Sequence, residues 1–371
     1  MEQSFEHGGN IHKFLRTQTS LSHTFFDFSA NINPLGLSEK VRSSIKNNID
    51  TIIHYPDVDG YELKNMLSQY YQISYDSLTL GNGAVELLYI LCNLVQPKTA
   101  LILAPSFSEY ESASRAAKAK IKYYYLNEKN DFLFDINRFL LALESLGKND
   151  IIFLGNPNNP TGTSITSQDL EKILYYAQRN HCFVVVDESF IDFLPNATNY
   201  TVRHLIKNFE NLIVLHSLTK FYAIPGLRLG FVITSTKIAQ KLHLAKDPWN
   251  VNCLAQIAGI AALQDKQYQE KSRSFMQQEI DFFYKNLTAI NTLKIYKPMV
   301  NFVLVNLEKT NIKSHELRKQ LLKRAILIRD CANYPGLSNQ YVRFAIKRHN
   351  ENIFFLETLK KILMDGSVKN D

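Results

Sequence analysis

Lys220 lies within a stretch, Leu215 to Phe231, that reads LHSLTKFYAIPGLRLGF: a buried strand ending near His216, then the polar turn Ser217-Leu218-Thr219 that delivers the lysine. Arg228 lies eight residues beyond the lysine. An amine attacks a carbonyl only when deprotonated, so a lysine beside a cation or in desolvated surroundings is the usual source of a Schiff base. Arg228 is placed to be that positive neighbour. Two hydroxyls and an arginine around one lysine also suit a phosphate, which needs several donors and a matching charge. Taken alone, Ser-x-x-Lys also describes a solvated lysine on a surface turn, which is the commoner case.

Asp187 changes that balance. It closes the run Phe183-Val184-Val185-Val186, and three consecutive valines ahead of an acid read as a strand buried on both faces with the carboxylate at its carboxyl end. Ligands of open α/β sheets bind at that end. A Schiff-base lysine plus a carboxylate that keeps a pyridine nitrogen protonated is the pairing pyridoxal phosphate requires, because the protonated ring is the electron sink. On these residues the chain resembles the fold-type I pyridoxal-phosphate enzymes, and within them the threonine-phosphate decarboxylase family, with the histidinol-phosphate aminotransferases next. The resemblance runs from HGGN at His7 to the YVRFAIK segment holding Arg343.

That resemblance implies an α/β fold of fold-type I. A large domain with a mainly parallel seven-stranded sheet is expected over 50–270, a smaller α+β domain over 271–371, and an N-terminal segment, 1–49, that joins the small domain and covers the active site. It further implies pyridoxal 5'-phosphate as cofactor, a homodimer, and a phosphorylated amino acid as substrate. The implied reaction is decarboxylation of L-threonine O-3-phosphate, or of L-serine O-phosphate, toward a cobalamin side-chain precursor. A histidinol-phosphate aminotransferase or related transaminase would share every cofactor residue.

The elements that must position these residues alternate along the chain. Strands are expected at Thr99 to Ala104, Ile121 to Tyr125, Ile151 to Leu154, Phe183 to Val186, Leu212 to His216 and Leu229 to Thr234, with helices between several of them. Thr166 and Asp169 form a capping box, and Leu170, Ile173, Leu174 and Ala177 follow at i, i+3, i+4, i+7. Such alternation argues a mainly parallel sheet covered on both faces. Residues Val251 to Ala289 read as helical. Beyond them, strands near Leu293 to Tyr296, Asn301 to Val305, Ile326 to Arg329 and Tyr341 to Ile346 interleave with helices around Lys313 to Arg324 and Glu351 to Leu363. Neither a dinucleotide fingerprint nor a P-loop occurs.

Further residues take their roles from the resemblance. Gly83, Ala84 and Val85, in a glycine-rich turn opening a helix, would offer amides to the cofactor phosphate beside Ser217, Thr219 and Arg228. Phe107 would stack on the ring, and Asn159, in GNPNNPTG, would bond its hydroxyl. Phe190 stands where many aminotransferases carry a tyrosine. Tyr55 would reach the partner subunit's cofactor phosphate. For the substrate, Arg343 would grip the carboxylate and Arg329 the second anion, with His7, Gly8, Gly9, Asn10, Asn31 and Asn33 as further contacts. Turn chemistry alone also explains both asparagines of the NIN segment, and a surface salt bridge is the alternative for either arginine.

Composition bounds the rest. The 371 residues are 45% hydrophobic, enough for one large core or two modest ones. The net charge of +7 is dispersed, without a nucleic-acid motif, and fits small anionic ligands better than nucleic acid. No stretch is apolar for long enough to span a bilayer and the amino terminus lacks signal-peptide character, so a soluble cytoplasmic protein is expected. The four cysteines show neither C-x-x-C nor zinc spacing, so reduced thiols and no metal are expected. A ligand-sensing, non-catalytic domain of the same fold is the alternative outside enzymes; its usual DNA-binding partner domain finds no room in this length.

Overall fold

Val184, Val185 and Val186 have no solvent-facing side, and the sheet around them shows why. The computed structural model describes residues 8–11, 16 and 25–367, with 365–367 described by backbone alone. In chain order the described strands are β1 (Phe26–Asp27), β2 (Leu78–Asn82), β3 (Thr99–Ala104), β4 (Lys120–Tyr125), β5 (Ile151–Gly155), β6 (Phe183–Asp187) and β7 (Leu212–Ser217). They continue with β8 (Leu229–Thr234), β9 (Lys294–Ile295), β10 (Phe302–Asn306), β11 (Ile326–Leu327), β12 (Arg329–Asp330) and β13 (Tyr341–Ala345). Seven of these form the main sheet in the order β2-β8-β7-β6-β5-β3-β4. β8 runs antiparallel to β2 and β7, and the remaining pairs are parallel.

Side-chain alternation divides the core between the two faces of that sheet. Leu101, Ile152, Val184 and Val214 pack into one apolar cluster, and their neighbours Ile102, Phe153, Val185 and Ile213 into the other. Both faces are therefore dry, which is why the strand sequences carry continuous apolar runs. The helix Ser167–Arg179 buries Leu170, Ile173, Leu174 and Ala177, and the Thr166 side chain accepts from the Asp169 amide at 3.2 Å. Only this half of the expected capping box forms as drawn; the Asp169 carboxylate takes Lys172 at 2.8 Å instead.

β2 was not among the expected strands. Its Gly81 and Asn82 read as turn chemistry, yet they pair with Gly230 and Leu229 of β8, because cross-strand pairing overrides a weak local preference. A second sheet, β12-β13-β10-β9, is built wholly from residues after 290, and β1 pairs in parallel with β11. The stretch Ile326 to Arg329, expected as one strand, is thus shared between two sheets. β11 holds the N-terminal strand, whereas β12 puts Arg329 directly opposite Arg343 of β13.

Candidate active site

A cavity of about 430 Å³ opens where β3, β5, β6 and β7 end, with a wall from β12 and β13. Asp187 ends β6 and is 8% exposed. Its Oδ2 accepts from the Tyr110 hydroxyl at 2.8 Å and its Oδ1 from the Ser189 amide at 2.9 Å. Burial and the nearby carboxylate push the Tyr110 phenol well above its ordinary range, so it remains a donor. The carboxylate is thereby fixed in orientation. Tyr110 carried a faint sequence signal, an aromatic three residues after Phe107 in the first turn of the following helix; Phe107 also lines the cavity, edge-on to Tyr110 at 5.7 Å.

Lys220 faces Asp187 across this cavity. Burial pushes its amine down to about 8, aided first by Arg343 and then by Arg228, while Asp187 pulls the other way. Arg228 alone was the expected cationic neighbour; Arg343, from the other sheet, is the stronger one. At pH 7 a group titrating near 8 is about one-tenth neutral, roughly 300-fold more than an ordinary lysine. Uptake of pyridoxal phosphate by the cofactor-free protein should therefore accelerate with pH and level off above about 8. Stopped-flow absorbance measures this directly, and a rate still climbing tenfold per pH unit at pH 9.5 would mark Lys220 as unperturbed.

The phosphate cup takes shape at the other end. The helix Ala84–Val95 begins at the cavity with Ala84 and Val85 lining it, and its N-cap, Gly83, has no side chain with which to cap it. Gly83 differs from expectation: its amide donates to the Gly81 carbonyl at 2.8 Å and the residue does not line the cavity. Its value is steric. With φ +81° it adopts a conformation open to glycine, and a Cβ there would overlap the Arg228 guanidinium. Arg228 itself is left-handed at φ +58° after the Pro225–Leu227 turn, and that backbone turns it back over the helix start. Ser217 and Thr219 share a hydrogen bond of 2.7 Å and both line the cavity.

On the opposite wall, Arg343 donates to the Asn159 Oδ1 and, at 2.6 Å, to the Ser29 carbonyl. Its buried Nε has no partner among the described residues, and neither has the buried Oδ1 of Asn31, which also lines the cavity. Arg329 donates to Asn333 at 2.7 Å and lies 5.0 Å from the Tyr334 ring centre. Phe190, 7% exposed, packs edge-on against Phe302, so this position brings no hydroxyl to the cavity.

Not every expected residue reaches the cavity. Asn33 is buried elsewhere: its amide donates to the Phe221 carbonyl and the Ser272 hydroxyl, both at 2.8 Å, and its backbone amide takes the Lys220 carbonyl at 3.0 Å. It is a bolt on the lysine loop and not a substrate contact, because its donors are fully used by protein. Gly8 lines the cavity, Gly9 and Asn10 are exposed beside it, and His7 lies outside the described residues. Tyr55 is 80% exposed and packs tilted against Trp249, ring centres 4.7 Å apart, and does not line this cavity.

The donor set has a definite shape. An amine and a carboxylate flank the middle, an aromatic ring forms one side, a helix start with two hydroxyls and an arginine sits at one end, and two arginines sit at the other. A flat pyridine carrying an aldehyde and a phosphate fits the first three, and the unpartnered Asn31 and Arg343 atoms mark space for polar groups of a second molecule.

The aminotransferase class I and II family model matches residues 23–354. The chain belongs to that family. It is 36% identical over 360 residues to the threonine-phosphate decarboxylase of Salmonella typhimurium, covering 96% of each chain. Among solved structures it resembles the histidinol-phosphate aminotransferase of Clostridium acetobutylicum, with a TM-score of 0.85 and 33% identity over 92% of this chain and 99% of that one. It also resembles the L-threonine-O-3-phosphate decarboxylase of Porphyromonas gingivalis, with a TM-score of 0.81 and 27% identity over 91% and 99%. Family membership accounts for the sheet order and the cavity's place at the strand ends. No helix among the described residues is long and apolar enough to cross a membrane.

Proposed function

We propose that this chain is a pyridoxal 5'-phosphate-dependent carboxy-lyase that decarboxylates L-threonine O-3-phosphate, with L-serine O-phosphate as a slower substrate, yielding 1-amino-2-propanol phosphate for the cobalamin side chain. The observation that carries this reading is the register that sets Arg329 directly across from Arg343. They are 6% and 5% exposed. Like charges opposed across a sheet are destabilising, and buried ones more so. Such a pair is explained by a substrate with two anionic groups, a carboxylate for Arg343 and a phosphate for Arg329.

The cofactor supplies an electron sink conjugated to the substrate α-carbon. Asp187, oriented by Tyr110 and Ser189, would keep a proton on the ring nitrogen, and Ala84, Val85, Ser217, Thr219 and Arg228 would hold the phosphate. Asn159 would bond the ring hydroxyl and Phe107 would cover the ring face. Lys220 would hold the cofactor through its Nζ, and its depressed pKa would suit that amine, once free, to deliver a proton to the α-carbon. Arg343 fixes the carboxylate that leaves, and Asn31 lies beside it. Phe190 leaves one side of the ring without a donor, and the identity to a decarboxylase over nearly the whole chain favours this branch over transamination. Supplying phosphothreonine and phosphoserine to the holoenzyme tests it: carbon dioxide is expected, and stoichiometric keto product would establish a transaminase.

The reading includes a cytoplasmic homodimer divided into the segments 1–49, 50–270 and 271–371. Support for the dimer is an exposed apolar stretch, Ile52, Ile53 and Tyr55, the last packed against half-exposed Trp249, of the kind that marks an interface. Ile53→Glu should shift the protein from dimer to monomer in light scattering. If Tyr55 completes the partner subunit's phosphate cup, that variant also loses cofactor affinity by about tenfold or more. A wild-type monomer with full cofactor affinity would refute this arrangement.

A further inference from the structure

Ser29 makes contacts that neither the sheet pairing nor the cofactor site requires. Its hydroxyl donates to Asp27 Oδ1 at 2.6 Å, and its backbone amide donates to the same oxygen at 2.8 Å. The Ala30 amide joins them at 3.2 Å. Asp27 thus fixes the serine's backbone and also the direction of its hydroxyl proton. With the proton committed to Asp27, the Ser29 Oγ presents only lone pairs to its other side. There it accepts from the Gly9 amide at 2.8 Å. The Ser29 carbonyl accepts from Arg343 Nη2 at 2.6 Å. Gly8 packs so tightly on that carbonyl that a Cβ would overlap its oxygen, and both Gly8 and Ser29 line the cavity beside Arg343.

We propose that Ser29, oriented by Asp27, is the positioning residue that docks Gly8 and Gly9 at the cavity wall and at the same time aims Arg343 at the substrate carboxylate. The arrangement ties two substrate-side groups from distant parts of the chain to one residue. Arg343 depends on the carbonyl for one of its hydrogen bonds, and the Gly8-Gly9 segment depends on the hydroxyl and on clearance over the same carbonyl. Displacing either shifts the other. The inference rests on Arg343 serving a carboxylate, as proposed above, but its first readout needs no substrate.

Hydrogen-exchange mass spectrometry of the holoenzyme follows the peptide containing Gly9. Ser29→Ala removes the acceptor and keeps the carbonyl, and exchange at that peptide should rise by roughly two- to tenfold, the worth of one neutral hydrogen bond. Ser29→Thr retains a hydroxyl and should restore protection. Gly8→Ala places a methyl against the Ser29 carbonyl and should deprotect the peptide as Ser29→Ala does; it changes an N-terminal residue outside the core, so it decides the matter even if Ser29→Ala folds poorly. With phosphothreonine, both variants should raise KM by roughly two- to tenfold and leave kcat within about threefold. Unchanged exchange in Gly8→Ala and in folded Ser29→Ala would overturn the dock. Raised exchange with unaltered KM would overturn the link to Arg343. Raised exchange in an enzyme inactive on phosphothreonine would uphold the dock and refute the proposed substrate instead.

Discussion

Lys220→Ala is expected to abolish turnover, by about 10⁴-fold or more, while the protein still retains pyridoxal phosphate. The two outcomes separate because different groups produce them. The amine comes from the turn after β7, whereas the phosphate cup draws on the start of the helix Ala84–Val95, on Ser217 and Thr219, and on Arg228. Removing the lysine leaves that cup intact and relieves a buried charge. In the wild-type protein, borohydride reduction and peptide mapping should put the pyridoxyl group on Lys220, and label on another lysine would sink the assignment. In Arg228→Ala the order reverses: cofactor affinity falls first and activity follows. Full cofactor affinity in that variant would mean that the cup has been placed on the wrong residues.

The second large effect concerns the substrate phosphate. Phosphothreonine and phosphoserine present the same two anions to Arg343 and Arg329 and differ by one methyl, worth about 1–3 kcal/mol or roughly 10–200-fold in an apolar pocket. The preference between them should therefore be measurable but incomplete. Free threonine and serine leave Arg329 unpaired in a site built for an anion, and their kcat/KM should fall by on the order of 10⁴. Arg329→Gln keeps a donor for Asn333 and removes the charge, so it should cost phosphothreonine about 10²–10³-fold and narrow its advantage over threonine. Competition assays on all four compounds give these ratios. If free threonine served as well as its phosphate, both the role of Arg329 and the decarboxylase reading would have to be abandoned.

What the sequence determined by itself was local. Asp187 and Lys220 stand out because each follows an uninterrupted apolar strand, and a residue at the carboxyl end of a buried parallel strand has one place to point, the ligand edge of the sheet. The helix after Thr166 and the family resemblance were legible for the same reason: a few residues at fixed spacing carry them. Contacts between segments far apart in the chain had no such signal. β2 escaped notice because its glycines are poor strand formers until β8 pairs with them. The divided stretch Ile326 to Arg329 looked like one strand, since nothing in its apolar pattern says that two sheets share it. Only that division places Arg329 against Arg343, and only the meeting of the two sheets makes Arg343 the leading cation beside Lys220. Asn33 and Ser29 sit close together in the chain, yet one bolts the lysine loop and the other meets the arginine. Side-chain direction at an irregular turn is set by what packs against it, and that is decided in the tertiary structure.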